Sequence, residues 1–129
     1  MCRRVSALPN PARISIVEDD DLVREALESL IRSLGYDAET FASAEDYLNR
    51  GRIAETQCLI TDLHMPGMTG LDLHNRLIAA GHRIPTIFMS GYSEGPLYAS
   101  AIKAGAAGFF EKPIDEDRLV QCLEKALAG

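Results

Sequence analysis

Short apolar runs alternate with stretches of helical period along the chain. Arg13 to Val17 (RISIV) is a β-branched run that predicts a strand ending in Glu18-Asp19-Asp20-Asp21. From Leu22 the period changes: Val23, Ala26, Leu27, Leu30, Ile31 and Leu34 share one face of a helix. Asp20 or Asp21 can cap that helix, Glu25 lies in its first turns, and Gly35 suits the position after its end. Tyr36 to Phe41 alternates enough for a second strand, and Ser43 can cap a short helix through Asn49 with Ala44, Tyr47 and Leu48 apolar. Cys58 to Thr61 predicts a buried third strand with Asp62 at its C-terminal end, and Met65-Pro66-Gly67 breaks any regular element. Thr69 to Ala80 is helical, with Leu71, Leu73, Leu77 and Ile78 apolar and Gly81 as its stop. Ile84 to Met89 is a fourth strand with Pro85 near its start, where proline is tolerated. A loop at Ser90-Gly91-Tyr92-Ser93 precedes a helix from Pro96 to Ala104, stopped by Gly105. Ala107 to Phe110 is the last strand. Lys112-Pro113 turns the chain, and Asp115 opens a final helix carrying Leu119, Val120, Leu123, Ala126 and Leu127.

Five strands alternating with five helices imply an α/β fold: a parallel sheet covered on both faces and joined by right-handed crossovers. Of the two common doubly wound orders, five strands fit the flavodoxin-like order 2-1-3-4-5. The 129 residues suffice for one domain with a real core and are too few for two. Residues 1–12 read as a flexible tail, since Pro9-Asn10-Pro11 disfavours a helix there, and residues 13–129 read as the domain.

Composition narrows the function classes. Net charge is -6, which argues against nucleic acid as a direct partner. The three cysteines, Cys2, Cys58 and Cys122, show no metal-ligand spacing. Cys58 and Cys122 stand in apolar patterns, so core thiols in a reducing cytoplasm are expected. No apolar stretch is long enough to span a bilayer, and no continuous apolar segment before Pro9 suggests a signal peptide.

The order 2-1-3-4-5 makes strands 1, 3, 4 and 5 neighbours, and each ends in a residue that carries chemistry. Strand 1 ends in Glu18 and Asp19, strand 3 in Asp62, strand 4 in Ser90, and strand 5 near Lys112. Ligands collect at the carboxyl ends of parallel strands. Three carboxylates in one cleft repel each other unless a cation is present, and hard oxygen ligands suit Mg²⁺. Asp19 and Asp62 would bind it, with Glu18 acting directly or through water. Asp62 is then an oxygen nucleophile toward phosphorus, with Lys112 and the Ser90 hydroxyl placed to stabilise charge on a transferring phosphoryl group. Singly, each residue has a blander role: a helix cap, a loop serine, a solvated lysine.

At these residues the chain resembles the receiver domains of two-component response regulators. The matching motifs are IVEDD at 16–20, TDLHMPGMTGLDL at 61–73, FMSGYS at 88–93 and KAGAAGFFEKP at 103–113. The resemblance implies that Asp62 accepts a phosphoryl group from a sensor histidine kinase. It implies that Glu18, Asp19, Asp62 and the backbone carbonyl of His64 hold Mg²⁺, with Mn²⁺ able to substitute. It makes Ser90 and Phe109 the switch pair, Lys112 the partner of the phosphoryl group, and the Lys112-Pro113 bond cis. Such a protein catalyses only its own phosphorylation and dephosphorylation, and works in the cytoplasm. Its signal leaves through the face made by the fourth helix, fifth strand and fifth helix, where a phosphorylation-dependent homodimer can form. The wording of MPGMTGLDL and SGYS is most like the FixJ-like branch, whose members often carry a C-terminal helix-turn-helix. Glu18-Asp19 departs from the commoner Asp-Asp, and His64 and Tyr92 stand where the family tunes self-dephosphorylation.

Other classes fit less well. A small Mg²⁺-dependent phosphatase of the haloacid-dehalogenase type needs an acid two residues after the nucleophile, where this chain has His64. A flavodoxin-like cofactor binder needs a phosphate-cradling loop after strand 1, where the loop is acidic. A pseudo-receiver acting only as a binding module would have a broken pocket, and here the pocket residues are complete.

Overall fold

The computed structural model describes residues 11–91 and 95–128. Five parallel strands, β1 (Arg13–Val17), β2 (Asp37–Phe41), β3 (Cys58–Asp62), β4 (Thr86–Ser90) and β5 (Gly108–Glu111), form one sheet in the order β2-β1-β3-β4-β5. The crossovers carry α1 (Asp21–Ser33), α2 (Ala44–Arg50), α3 (Gly70–Ala79) and α4 (Pro96–Lys103), and α5 (Glu116–Ala128) follows β5.

Side chains of the three inner strands point alternately to two covered faces, so nearly every position of β1, β3 and β4 is buried and most are apolar. On one face Ile14, Ile16, Cys58, Ile60, Ile87 and Met89 pack under Leu27 and Ile31 of α1 and Leu119 and Leu123 of α5. On the other face Val17 and Leu59 pack with Tyr47 of α2 and Leu73 and Leu77 of α3, while Phe88 packs with Ala101 of α4. Both faces of the sheet are therefore covered by helices.

Local signals set the helix starts. The Asp20 carboxylate caps α1 by accepting from the Leu22 and Val23 amides at 2.9 and 3.1 Å. Ser43 caps α2, and Thr69 with Asp72 closes a reciprocal capping box on α3. Gly35, after α1, takes a φ of 91°.

The structure moves several expected boundaries. Strand β2 starts at Asp37, β4 at Thr86 and β5 at Gly108, and a 3-10 turn at Ile53–Glu55 was not foreseen. Ser90 closes β4 rather than opening a loop, because it pairs in register with Glu111 of β5. The loop residues Tyr92 and Ser93 lie outside the described residues, as do residues 1–10 of the expected tail. Ala12, just before β1, is tied to the sheet through its carbonyl, which accepts from the Asp37 amide at 2.9 Å. Ala26, Leu34 and Ile78, expected on buried helix faces, are exposed, and His74 is buried in α3 instead. Cys58 is fully buried, while Cys122 is only half-buried beside Gly108. Among the described residues, no helix is long and apolar enough to cross a membrane.

Candidate functional site

Strand register places the site. Val17 pairs with Thr61, so Glu18 stands level with Asp62 just past the last paired rung. Asp62 pairs with Met89, which puts Ser90 one residue further along. Ser90 pairs with Glu111, which puts Lys112 one residue beyond that. Glu18 and Asp62 therefore stand level at the ends of β1 and β3, and Ser90 and Lys112 each climb one residue further across β4 and β5. The Lys112 amide donates to the Ser90 carbonyl at 2.7 Å and fixes the last step. The Lys112-Pro113 bond is cis.

The Lys112 side chain reaches back down this staircase. Its Nζ donates to Asp62 Oδ2 at 3.1 Å and lies 2.8 Å from Glu18 Oε1. Glu18 is 0% exposed and Asp62 5%. Asp62 Oδ1 accepts from the His64 amide at 3.3 Å, which folds the chain over the carboxylate. Glu18 Oε2 accepts from the Asp20 amide at 3.1 Å. Asp19 is exposed, yet one of its oxygens comes within 4.8 Å of oxygens from Glu18 and Asp62.

Electrostatics follow from burial. Burial pushes the Glu18 carboxyl up to about 7; contact with Lys112 and the Asp20 amide opposes this, and the charge of Asp62 adds to it. Burial alone would lower the Lys112 ammonium. The close contact with Glu18 and the charges of both carboxylates outweigh it, and the ammonium is held above its ordinary range. One cation thus serves two buried carboxylates with a third beside them.

The donor set fits a small hard cation. Glu18 Oε1 is buried and has an ion-pair contact but no hydrogen bond of good geometry, so its lone pairs remain available. Three carboxylates with oxygens this close, open to water on the Asp19 side, offer the oxygen ligands Mg²⁺ prefers.

Backbone packing ties the end of β3 to the start of α3. A methyl group on Gly70 would stand 2.3 Å from the Asp62 carbonyl oxygen, so α3 starts in direct contact with the end of β3. The Gly70 amide donates to the Leu63 carbonyl at 3.1 Å. Between them Gly67 takes a φ of 76°, and the Met68 amide donates to Glu45 of α2 at 3.2 Å.

The structure brings Glu18, Asp19, Asp62 and Lys112 together as expected, with His64 over Asp62 through its amide. Ser90 is fully buried at the same sheet edge. Phe109 lies apart on β5, edge-on to Tyr98 of α4 with 4.6 Å between ring centroids. Tyr92 is outside the described residues. The sequence reading missed Arg24, whose guanidinium donates to the Glu18 carbonyl at 2.8 Å; an arginine in the first turn after an acidic run was the available signal. It also left His74 unplaced, although His74 lies between Thr86 of β4 and the Ala104 carbonyl after α4.

Comparison with known proteins agrees with this geometry. Residues 14–124 match the family model described as the response regulator receiver domain. The response regulator protein TodT of Pseudomonas putida is 46% identical over 114 residues, covering 88% of this chain and 50% of the relative. The transcriptional regulatory protein FixJ of Azorhizobium caulinodans is 36% identical over 120 residues, covering 93% of this chain and 57% of the relative. The chain thus spans about half the length of these curated relatives. Among solved structures, the response regulator StyR superposes with a TM-score of 0.84 at 37% identity, covering 92% of this chain and 60% of that one. The FixJ-N structure gives a TM-score of 0.80 at 31% identity, covering 90% and 93%.

Proposed function

Because the chain belongs to the response regulator receiver family, whose general function is to be phosphorylated by a histidine kinase, we propose that Asp62 is its phosphoryl acceptor. One observation carries the assignment. Asp62 is a buried carboxylate at the end of the central strand, hydrogen-bonded to Lys112 and grouped with Glu18 and Asp19.

An Asp62 oxygen attacks the phosphorus of a phosphohistidine on the sensor kinase. An O–P bond forms, the N–P bond breaks, and the imidazole leaves with the electron pair. Glu18, Asp19, Asp62 and the His64 carbonyl would hold Mg²⁺, or Mn²⁺ in its place. When bound, the ion offsets carboxylate repulsion and draws charge from the phosphoryl oxygens. Lys112, already bonded to Asp62, turns its ammonium to a phosphoryl oxygen, and the Ser90 hydroxyl bonds another. The domain of residues 13–129 catalyses only its own phosphorylation and dephosphorylation, in the cytoplasm with its kinase. Movement of Ser90 toward the phosphoryl group frees space for the Phe109 ring, and the α4-β5-α5 face carries the signal to a partner or a second copy.

Incubation with phosphoramidate and Mg²⁺, followed by intact-mass spectrometry, tests the acceptor. The parent gains one phosphoryl group and Asp62→Asn gains none. Equal labelling of both overturns the assignment. Continuous release of phosphate from unrelated phosphomonoesters would favour the phosphatase reading instead.

A further inference from the structure

Arg24 is absent from the roles described above, yet it touches the acidic loop at two points. One guanidinium nitrogen donates to the Glu18 carbonyl at 2.8 Å, and the other pairs with the Asp21 carboxylate. The guanidinium is largely buried, and its own amide donates to the Asp20 carbonyl at 2.9 Å. Glu18, Asp19, Asp20 and Asp21 are four consecutive acids, and their mutual repulsion favours an open loop. Lys112 meets them from the β5 side and Arg24 from the α1 side.

The Asp19 carboxylate makes no hydrogen bond or ion pair among the described residues. Its place beside Glu18 and Asp62 is therefore set by the backbone that carries it. That backbone is the Glu18–Asp19 peptide, and its carbonyl is the group Arg24 grips. The planar fork suits this task, because it fixes a carbonyl and a carboxylate in one geometry, whereas an ammonium is a single point charge. Resting on the receiver reading, we infer that Arg24 is a positioning residue for the cation site: by clamping the Glu18 carbonyl, it aims Asp19 and sets the affinity for Mg²⁺.

Groups that orient metal ligands from outside typically change affinity tenfold or more when removed. Titration calorimetry with MgCl₂ on the whole chain reads this directly. Arg24→Met is expected to bind Mg²⁺ about tenfold more weakly than the parent. Asp21→Ala, which breaks only the pair with Asp21, is expected to stay within about twofold. Arg24→Lys keeps the charge without the fork and is expected to fall between, about threefold weaker. In a second readout, phosphorylation of Arg24→Met from phosphoramidate should need more Mg²⁺ yet reach the parent rate at saturation. General damage to the fold would lower the plateau as well.

Equal Mg²⁺ affinity in the parent and a folded Arg24→Met overturns the inference. So does an equal loss in Asp21→Ala. If Arg24→Met fails to fold, Arg24→Lys decides: parent affinity there overturns the fork argument. A parent that binds no Mg²⁺ and takes no phosphate overturns the receiver reading itself, a result separate from these.

Discussion

Lys112 Nζ stands 2.8 Å from Glu18 Oε1, although β3 and β4 separate their strands. Three inter-strand steps amount to about 14 Å between backbones, and the two extended side chains close most of it. The ammonium holds together two acids that would otherwise repel. Replacing it by methionine keeps the length and removes the charge. Lys112→Met is expected to lose about 2 kcal/mol of stability without Mg²⁺, less than for a fully enclosed pair because the lysine is 24% exposed. Millimolar Mg²⁺ should recover more stability in the variant than in the parent. Urea unfolding with and without the metal checks both expectations.

Gly70→Ala offers a test of the close contact under Asp62. Exchanging glycine for alanine in a helix normally stabilises by up to about 1 kcal/mol. Here the new methyl group would meet the Asp62 carbonyl at 2.3 Å, well inside van der Waals contact. The variant is expected to be less stable by about 1–3 kcal/mol. It should also take phosphate from a small donor more slowly, since the end of β3 must shift. Melting and the labelling rate measure the two effects, and a more stable variant would refute the packing argument.

Burial pushes the Cys58 thiol up to about 12 from its ordinary 9.0, with the nearby Cys122 adding to the rise. A thiol whose folded value is raised contributes stability that is complete below the unfolded value. That contribution is lost as pH climbs through 9 toward 12, by up to about 1.4 kcal/mol per pH unit. The stability gap between the parent and Cys58→Ala should therefore narrow between pH 8 and about 10.5. Urea unfolding at several pH values gives the gap directly. A gap constant with pH would mean that the thiolate is no worse accommodated in the fold than out of it.

Tyr98 and Phe109 meet at 85° across α4 and β5, on the face assigned to output. Helix α4 has Gly95 as its N-cap and so no side-chain cap, which leaves its entry weakly held. A phosphoryl mimic with Mg²⁺ is expected to favour a dimer or partner contact there by about 1–3 kcal/mol. Sedimentation across a concentration series should show association in the parent, and Ser90→Ala should lose the response. A parent whose sedimentation and α4-β5-α5 amide shifts ignore the mimic would sever the proposed route from Asp62.

Much of the fold was legible because each layer left its own period. Ile14 and Ile16 alternate with Ser15 and Val17, α1 repeats every three to four residues, and glycine or proline marks most joints. The strand ends then revealed the acids, Ser90 and Lys112, since topology alone makes those ends neighbours. Boundaries were less legible because the partner strand sets them: Ser90 is a strand residue only through its pairing with Glu111. Side-chain reach was not legible either. Nothing near Lys112 in the chain says that it bridges Glu18 and Asp62, and the acidic run before Arg24 suggests a charged partner rather than the carbonyl six residues back that it grips. His74 shares the apolar face of α3 because Thr86 and Ala104, remote in sequence, offer it polar partners.

Glu18, Asp62, Ser90 and Lys112 stand at or just past the ends of four different strands, the last of them at the sheet margin. The complete pocket exists only when all four strand ends are in place. A folding intermediate with β1, β3 and β4 assembled would possess the three carboxylates but no ammonium to quiet them. The contacts of Lys112 with Glu18 and Asp62 therefore report on completed folding, since a chain stalled before β5 docks has not yet made them.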